Sequence, residues 1–342
     1  MQSGDTFSAN PPYNFGSVTA TVAMGTERRH NLGKIKAVRH NVREMMGIKA
    51  RRRIAPAPSE GRAAVLSQFT GALMRAFMVM VLIATPSVLL PGVGADGKQM
   101  VALVALFVGV LTFVEYNATY PGLIEFRDAP PYNRTRFLML LCMVFFLSIM
   151  SRGAAEPSTL ARLFEALGLL IGQSLDFPYS PVRLVTLTLA ENATPAHVYA
   201  VRASAGVAYL ISIFALAIFA LILRIDNWPT KNGAFNVWTN LPTFDPTAGG
   251  DVVTRLERDA RFNLALGFLL PFLIPAVVKF GGMGLGALDL HYAPTRVWVI
   301  AIWAFLPASL FMRGIAMTRI AGMIREKRER NAEAAIPGYI PA

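Results

Sequence analysis

The sequence predicts an all-α fold: a polytopic integral membrane protein of six transmembrane helices, both termini cytoplasmic, with additional amphipathic helices lying at the interface. Two observations on the 342 residues carry this. Apolar residues make up 54% and charged residues 16%, against about 45–50% and 25% in soluble domains. The charges are also segregated, so that runs of membrane-spanning length carry none. A third observation orients the chain. With the N-terminus inside, 26 of the 33 Lys and Arg residues fall on the cytoplasmic side, as the positive-inside rule demands.

Residues 1–62 read as a cytoplasmic basic arm. Met1 to Gly25 has no Lys or Arg and no apolar run of signal-peptide type, whereas Arg28 to Arg62 holds eleven basic residues. On a helix over about residues 32–46, Leu32, Ile35, Val38, Val42, Met45 and Met46 share a face, flanked by Lys36, Arg39 and Arg43. Such a helix suits a bilayer surface. Lys34, Lys36, Arg39, Arg43, Arg51, Arg52 and Arg53 are its candidate contacts to anionic lipid or to a protein partner. No aromatic residue is interleaved with the basic ones, so nucleic acid is not an expected partner.

The membrane domain, residues 63–320, places its spans at 76–93, 99–114, 137–150, 203–223, 262–278 and 297–312. Several are short for a hydrocarbon core of about 30 Å, and the framing arginines Arg136, Arg152, Arg296 and Arg313 are expected to snorkel outward. The outer segment 151–202 contains a second amphipathic stretch, with Leu160, Leu163, Phe164, Leu167, Leu170, Ile171 and Leu175 on one face. It is read as interfacial, a re-entrant hairpin over 157–190 being the alternative. The cytoplasmic loops 115–136 and 224–261 are rich in aromatics and prolines. Tyr120, Phe126, Tyr132, Trp228, Phe235, Trp238 and Phe244 stand there as candidate docking residues, with interfacial anchoring as the other reading. Asp251 is placed to cap the helix entering the fifth span. Residues 321–342 form a basic cytoplasmic tail.

Chemistry is sparse. Cys142 is the one cysteine, and the four histidines are scattered, which excludes disulfide frameworks and Cys/His metal sites. No catalytic residue, metal ligand or cofactor is expected; bound lipid is. The run Gly281-Gly282-Met283-Gly284-Leu285-Gly286 follows an apolar helix and no strand, so it reads as a flexible helix end instead of a dinucleotide loop. Glu115 is the candidate intramembrane carboxylate, or else an interface residue paired with Arg75, Arg136 or Arg224. Pro271 and Pro275, four apart in the fifth span, are candidates for a kink whose freed backbone groups need partners within the bundle.

These features favour a non-catalytic scaffold, assembly or accessory subunit of a larger membrane complex, docking through its cytoplasmic arms and loops onto other membrane subunits. The alternatives are a small-solute or ion transporter using Glu115 and the proline-bearing span, and a membrane enzyme acting on lipid. Arginine outnumbers lysine 26 to 7, a bias of GC-rich bacterial genomes that points to a bacterial inner membrane.

Overall fold

In the computed structural model the described residues are 58–153, 156–225, 228–229, 240–245, 247, 249–280 and 290–334. The basic arm, the predicted helix over 32–46, Phe235, Trp238 and the glycine run at 281–286 lie outside them. The chain divides into units 1–62 and 63–342; the following concerns the second, with the first turn of its leading helix.

Eight helices and no strand occupy the described residues: α1 Pro58–Leu89, α2 Ala95–Asn117, α3 Tyr132–Gly153, α4 Thr159–Leu175, α5 Pro181–Thr186, α6 Pro195–Ile225, α7 Val252–Phe280 and α8 Ala293–Ala334. Six of them, α1, α2, α3, α6, α7 and α8, are long and apolar enough to cross a membrane. Each is longer than the span expected from its charge-free stretch, although α1 ends at Leu89, short of the expected Val93, where the turn through Gly92 stops it. The difference has a physical cause: arginines expected to mark span ends find partners and stay helical. Arg296 is buried and donates to the Leu290 carbonyl and to Ser151 Oγ, while Arg313 pairs with Glu125. Neither snorkels.

Helix α8 forms the centre, with 56% of its apolar window buried against 11% for α2. Around it pack α3, α6 and α7 through Met143, Leu147, Phe219, Leu256, Ile300, Met312 and Ile320. Small residues let backbones approach where side chains would hold them apart. A Cβ on Gly267 would meet the Pro307 carbonyl and Phe311 nitrogen of α8 at 2.8 Å, and one on Gly314 the Ala260 carbonyl of α7 at 2.9 Å. The hairpin of α1 and α2 turns at Gly92, whose φ of +79° only glycine adopts without strain. Further along the hairpin Met80 and Ala76 of α1 meet Gly109 of α2, and Phe69 packs edge-on to Phe113.

The segment 151–202 is built from α4 and α5. Ser158 caps α4 by accepting from the Ala161 amide at 3.2 Å. The packing face of α4 is its small residues: Gly168 meets Met150, and Gly172 lies backbone to backbone against Gly206 of α6. The expected apolar face is therefore split: Phe164, Ile171 and Leu175 pack toward the bundle, Phe164 at 5.0 Å from Phe146, while Leu160, Leu163, Leu167 and Leu170 are exposed.

One backbone carbonyl freed by the proline pair of α7 finds a partner across the bundle. The helix runs unbroken through Pro271 and Pro275. Pro275 cannot donate to the carbonyl four residues back, that of Pro271, and the Trp303 indole N–H of α8 donates to it instead at 3.2 Å.

Candidate functional site

The end of the bundle bearing residues 115–131 and 240–251, called the rim here, holds the densest polar architecture. Glu125 takes a bidentate pair from Arg313, 2.6 Å to Nε and 2.8 Å to Nη2, and accepts from Thr243 Oγ1 at 2.7 Å. Burial pushes its carboxyl up, but the Arg313 guanidinium and the Thr243 hydroxyl outweigh this and hold it below the ordinary carboxylate range. Asn240 ties the two loops together, its carbonyl accepting from the Phe126 amide at 2.7 Å and its side-chain oxygen from the Asp128 amide at 3.0 Å.

Between those loops the aromatics stack inward. Phe126, held at φ 53°, lies 4.5 Å from the Tyr132 ring and 5.8 Å from Trp228, and Tyr132 packs on Phe219. The Trp228 indole donates to the Ala129 carbonyl at 3.2 Å. Phe126, Tyr132, Trp228 and Phe244 are all buried. This corrects the docking expectation for these four: they are the core that fastens one rim loop to the other, and none is free to meet a partner. Among the described docking candidates, Tyr120, 76% exposed, remains at the surface.

Glu115 is not paired with arginine. Its carboxylate accepts backbone N–H groups of Gly122, Leu123 and Ile124 at 3.0, 2.9 and 3.3 Å, closing the loop after α2 as a capping anion. Arg127 braces the same loop by donating to the Glu115 and Ala118 carbonyls. Asp251 caps α7 as expected, accepting from the Thr254 amide at 3.0 Å; the Arg328 guanidinium first, and then this amide, lower its carboxyl to about 2.

Beside the rim a cavity of about 670 Å³ opens between the α1–α2 hairpin and helices α3 and α8. Its size falls in the range of ligand sites. Arg75, Arg134, Arg136 and Arg313 line it together with Tyr116 and Glu125, above apolar walls. No spacing announces this grouping: Arg75 falls just before the first charge-free run and Arg136 just before the third, where arginine ordinarily marks a span end. Arg75 in fact lies well inside the apolar window Leu66–Leu89.

At the opposite end, His197 and His291 stack with ring centroids 3.6 Å apart, a meeting of two elements that no spacing announced. Asp176 there holds Arg202 at 3.0 Å and Arg183 at 3.5 Å. A second, apolar cavity of about 240 Å³ lies between α5, α7 and α8. Among the described residues no three His, Cys, Asp or Glu side chains converge as metal ligands.

Fold and composition together define a multi-pass membrane protein. Beyond that class, no protein-family model, curated protein or solved structure matches the chain significantly.

Proposed function

We propose that this protein is a non-catalytic scaffold or assembly subunit of a bacterial inner-membrane complex, with its rim and both termini in the cytoplasm. The observation that carries the reading is the length of α8. Its 42 residues extend for about 63 Å at 1.5 Å per residue, roughly twice the hydrocarbon thickness. Buried positions end at Ala321, and from Arg325 onward the helix is charged and exposed. The surplus is stapled to the start of α7 by Arg325 on Glu257 and by Arg328 on Asp251 at 2.5 Å. A braced, charged projection of this kind suits recognition of a protein surface better than solvation alone, for which a short basic tail suffices. The partition of 26 basic residues to one side supports the orientation, and the basic arm adds attraction to anionic lipid on the same face.

Mild-detergent purification from the native membrane, followed by mass analysis, tests the proposal. A stoichiometric assembly that is lost on deleting residues 1–62 or on truncation after Ala321 is the expected result. A monodisperse chain without partners, unaltered in behaviour by either deletion, overturns it.

A further inference from the structure

The cavity beside the rim has a composition that a scaffold does not need. Arg75 sits nine residues inside the window Leu66–Leu89, about 14 Å along the helix from its first residue. Arg136 lies in α3, four residues past Tyr132. Ionisable groups at such depths ordinarily face a bundle interior and carry a counter-charge. Here Glu125 pairs with Arg313 and also lies within electrostatic reach of Arg136, while Arg75, Arg134 and Arg136 form no ion pair among the described residues.

Aromatic faces and a hydroxyl hold two of these guanidinium groups in place. Arg75 lies 4.7 Å above the Tyr116 ring. Arg136 lies 5.1 Å from the Tyr132 ring and 5.6 Å from that of Phe305, with its Nε donating to Ser309 Oγ at 3.3 Å. Both come within electrostatic reach of Tyr116. Cation–π stacking fixes an arginine plane while leaving edge N–H groups to donate. Below them the walls are Met78, Val79, Leu82, Phe137, Leu140 and Leu306.

We propose that this cavity binds one anionic phospholipid, its phosphate between Arg75 and Arg136, its net negative charge answering the excess of arginine in the lining, and its acyl chain along the apolar walls. The fork geometry of arginine matches phosphate oxygens, and the anion supplies counter-charge where four arginines share the lining with one carboxylate, Glu125. An inorganic anion leaves the apolar volume unfilled. The inference is independent of the scaffold reading, since a subunit without partners would keep the site.

Native mass spectrometry of the full chain, equilibrated with phosphatidylglycerol and phosphatidylcholine in equal amounts, reads the occupancy. One phosphatidylglycerol per chain should be retained with a preference of about tenfold or more. The double variant Arg75→Gln/Arg136→Gln should lose that preference, and so should Leu140→Trp, which fills the apolar wall and leaves every arginine in place. Arg258→Gln/Arg330→Gln, charges outside the cavity, should keep it. Should the double variant aggregate, Arg75→Gln alone, at an exposed position, reads the same ratio. Equal retention of the two lipids by the unmodified chain, an unchanged preference in the cavity variants, or loss of preference in Arg258→Gln/Arg330→Gln overturns the proposal. So does displacement of the retained lipid by inorganic phosphate alone, which would make the site one for a small anion.

Discussion

A hydrogen bond that replaces a missing backbone donor can be tested by removing either the replacement or the reason for it. Trp303→Phe leaves the Pro271 carbonyl buried without a partner and should destabilise the protein by about 1–3 kcal/mol. In a Pro275→Ala background the restored amide N–H takes that carbonyl, so the same substitution should cost less. Melting temperatures of the four proteins in detergent close the cycle; additive losses would mean that the indole contributes packing alone. The Glu125–Arg313 pair behaves differently, because both partners are charged and mostly buried, at 12% and 22% exposure. Arg313→Met strands a carboxylate and should cost about 3–5 kcal/mol, more than the double change Glu125→Gln/Arg313→Met. The carboxyl is depressed in the folded state. Its contribution is therefore complete above the ordinary value of 4.5 and fades as pH falls through the lower folded value. Unfolding measured between pH 6 and 3 should show an acid loss in the native protein that is smaller in Glu125→Gln.

Pairs of helices meet through glycine, and there the backbone itself is the contact surface. Gly172→Val and Gly206→Val each insert atoms where backbone lies within 3 Å, and a loss of about 1–3 kcal/mol is expected from forced separation of α4 and α6. Gly249→Ala, at a position with open space around it, should stay within about 0.5 kcal/mol of the parent. Detergent melting curves distinguish the two cases; equal effects would remove the close-packing argument. The existence of six long apolar helices was legible because charge-free runs need no knowledge of neighbours. Their ends were not, since whether a helix continues past an arginine depends on a partner such as Glu125, 188 residues from Arg313. Aromatic loop residues misled for the same reason. Trp228 and Ala129 are 99 positions apart, and only their meeting turns an exposed-looking tryptophan into core. The capping role of Asp251 was readable because it is local, three residues from Thr254. The arginine-lined cavity was not, because four elements converge to make it.

For the whole molecule the proposed orientation gives a direct test. A reporter active only outside the cytoplasm should be silent when fused after Arg330 and active when fused after Glu191; activity at Arg330 would refute an even number of spans with the N-terminus inside. The glycine contact between α4 and α6 also bears on how the protein is made. Helix α4 leaves the ribosome before its partner exists, and at 17 residues it extends for about 25 Å, short of a full span. Until α6 has been threaded, the face bearing Ala161, Gly168 and Gly172 has only α3 to meet, while the leucines on the other side can rest on lipid. Biogenesis thus acquires an order: α4 waits at the surface, α6 crosses, and the bare backbone at Gly206 then receives Gly172. A chain ending at Ala190 and released into the membrane should leave α4 open to membrane proteases, and one released after Ile225 should protect it.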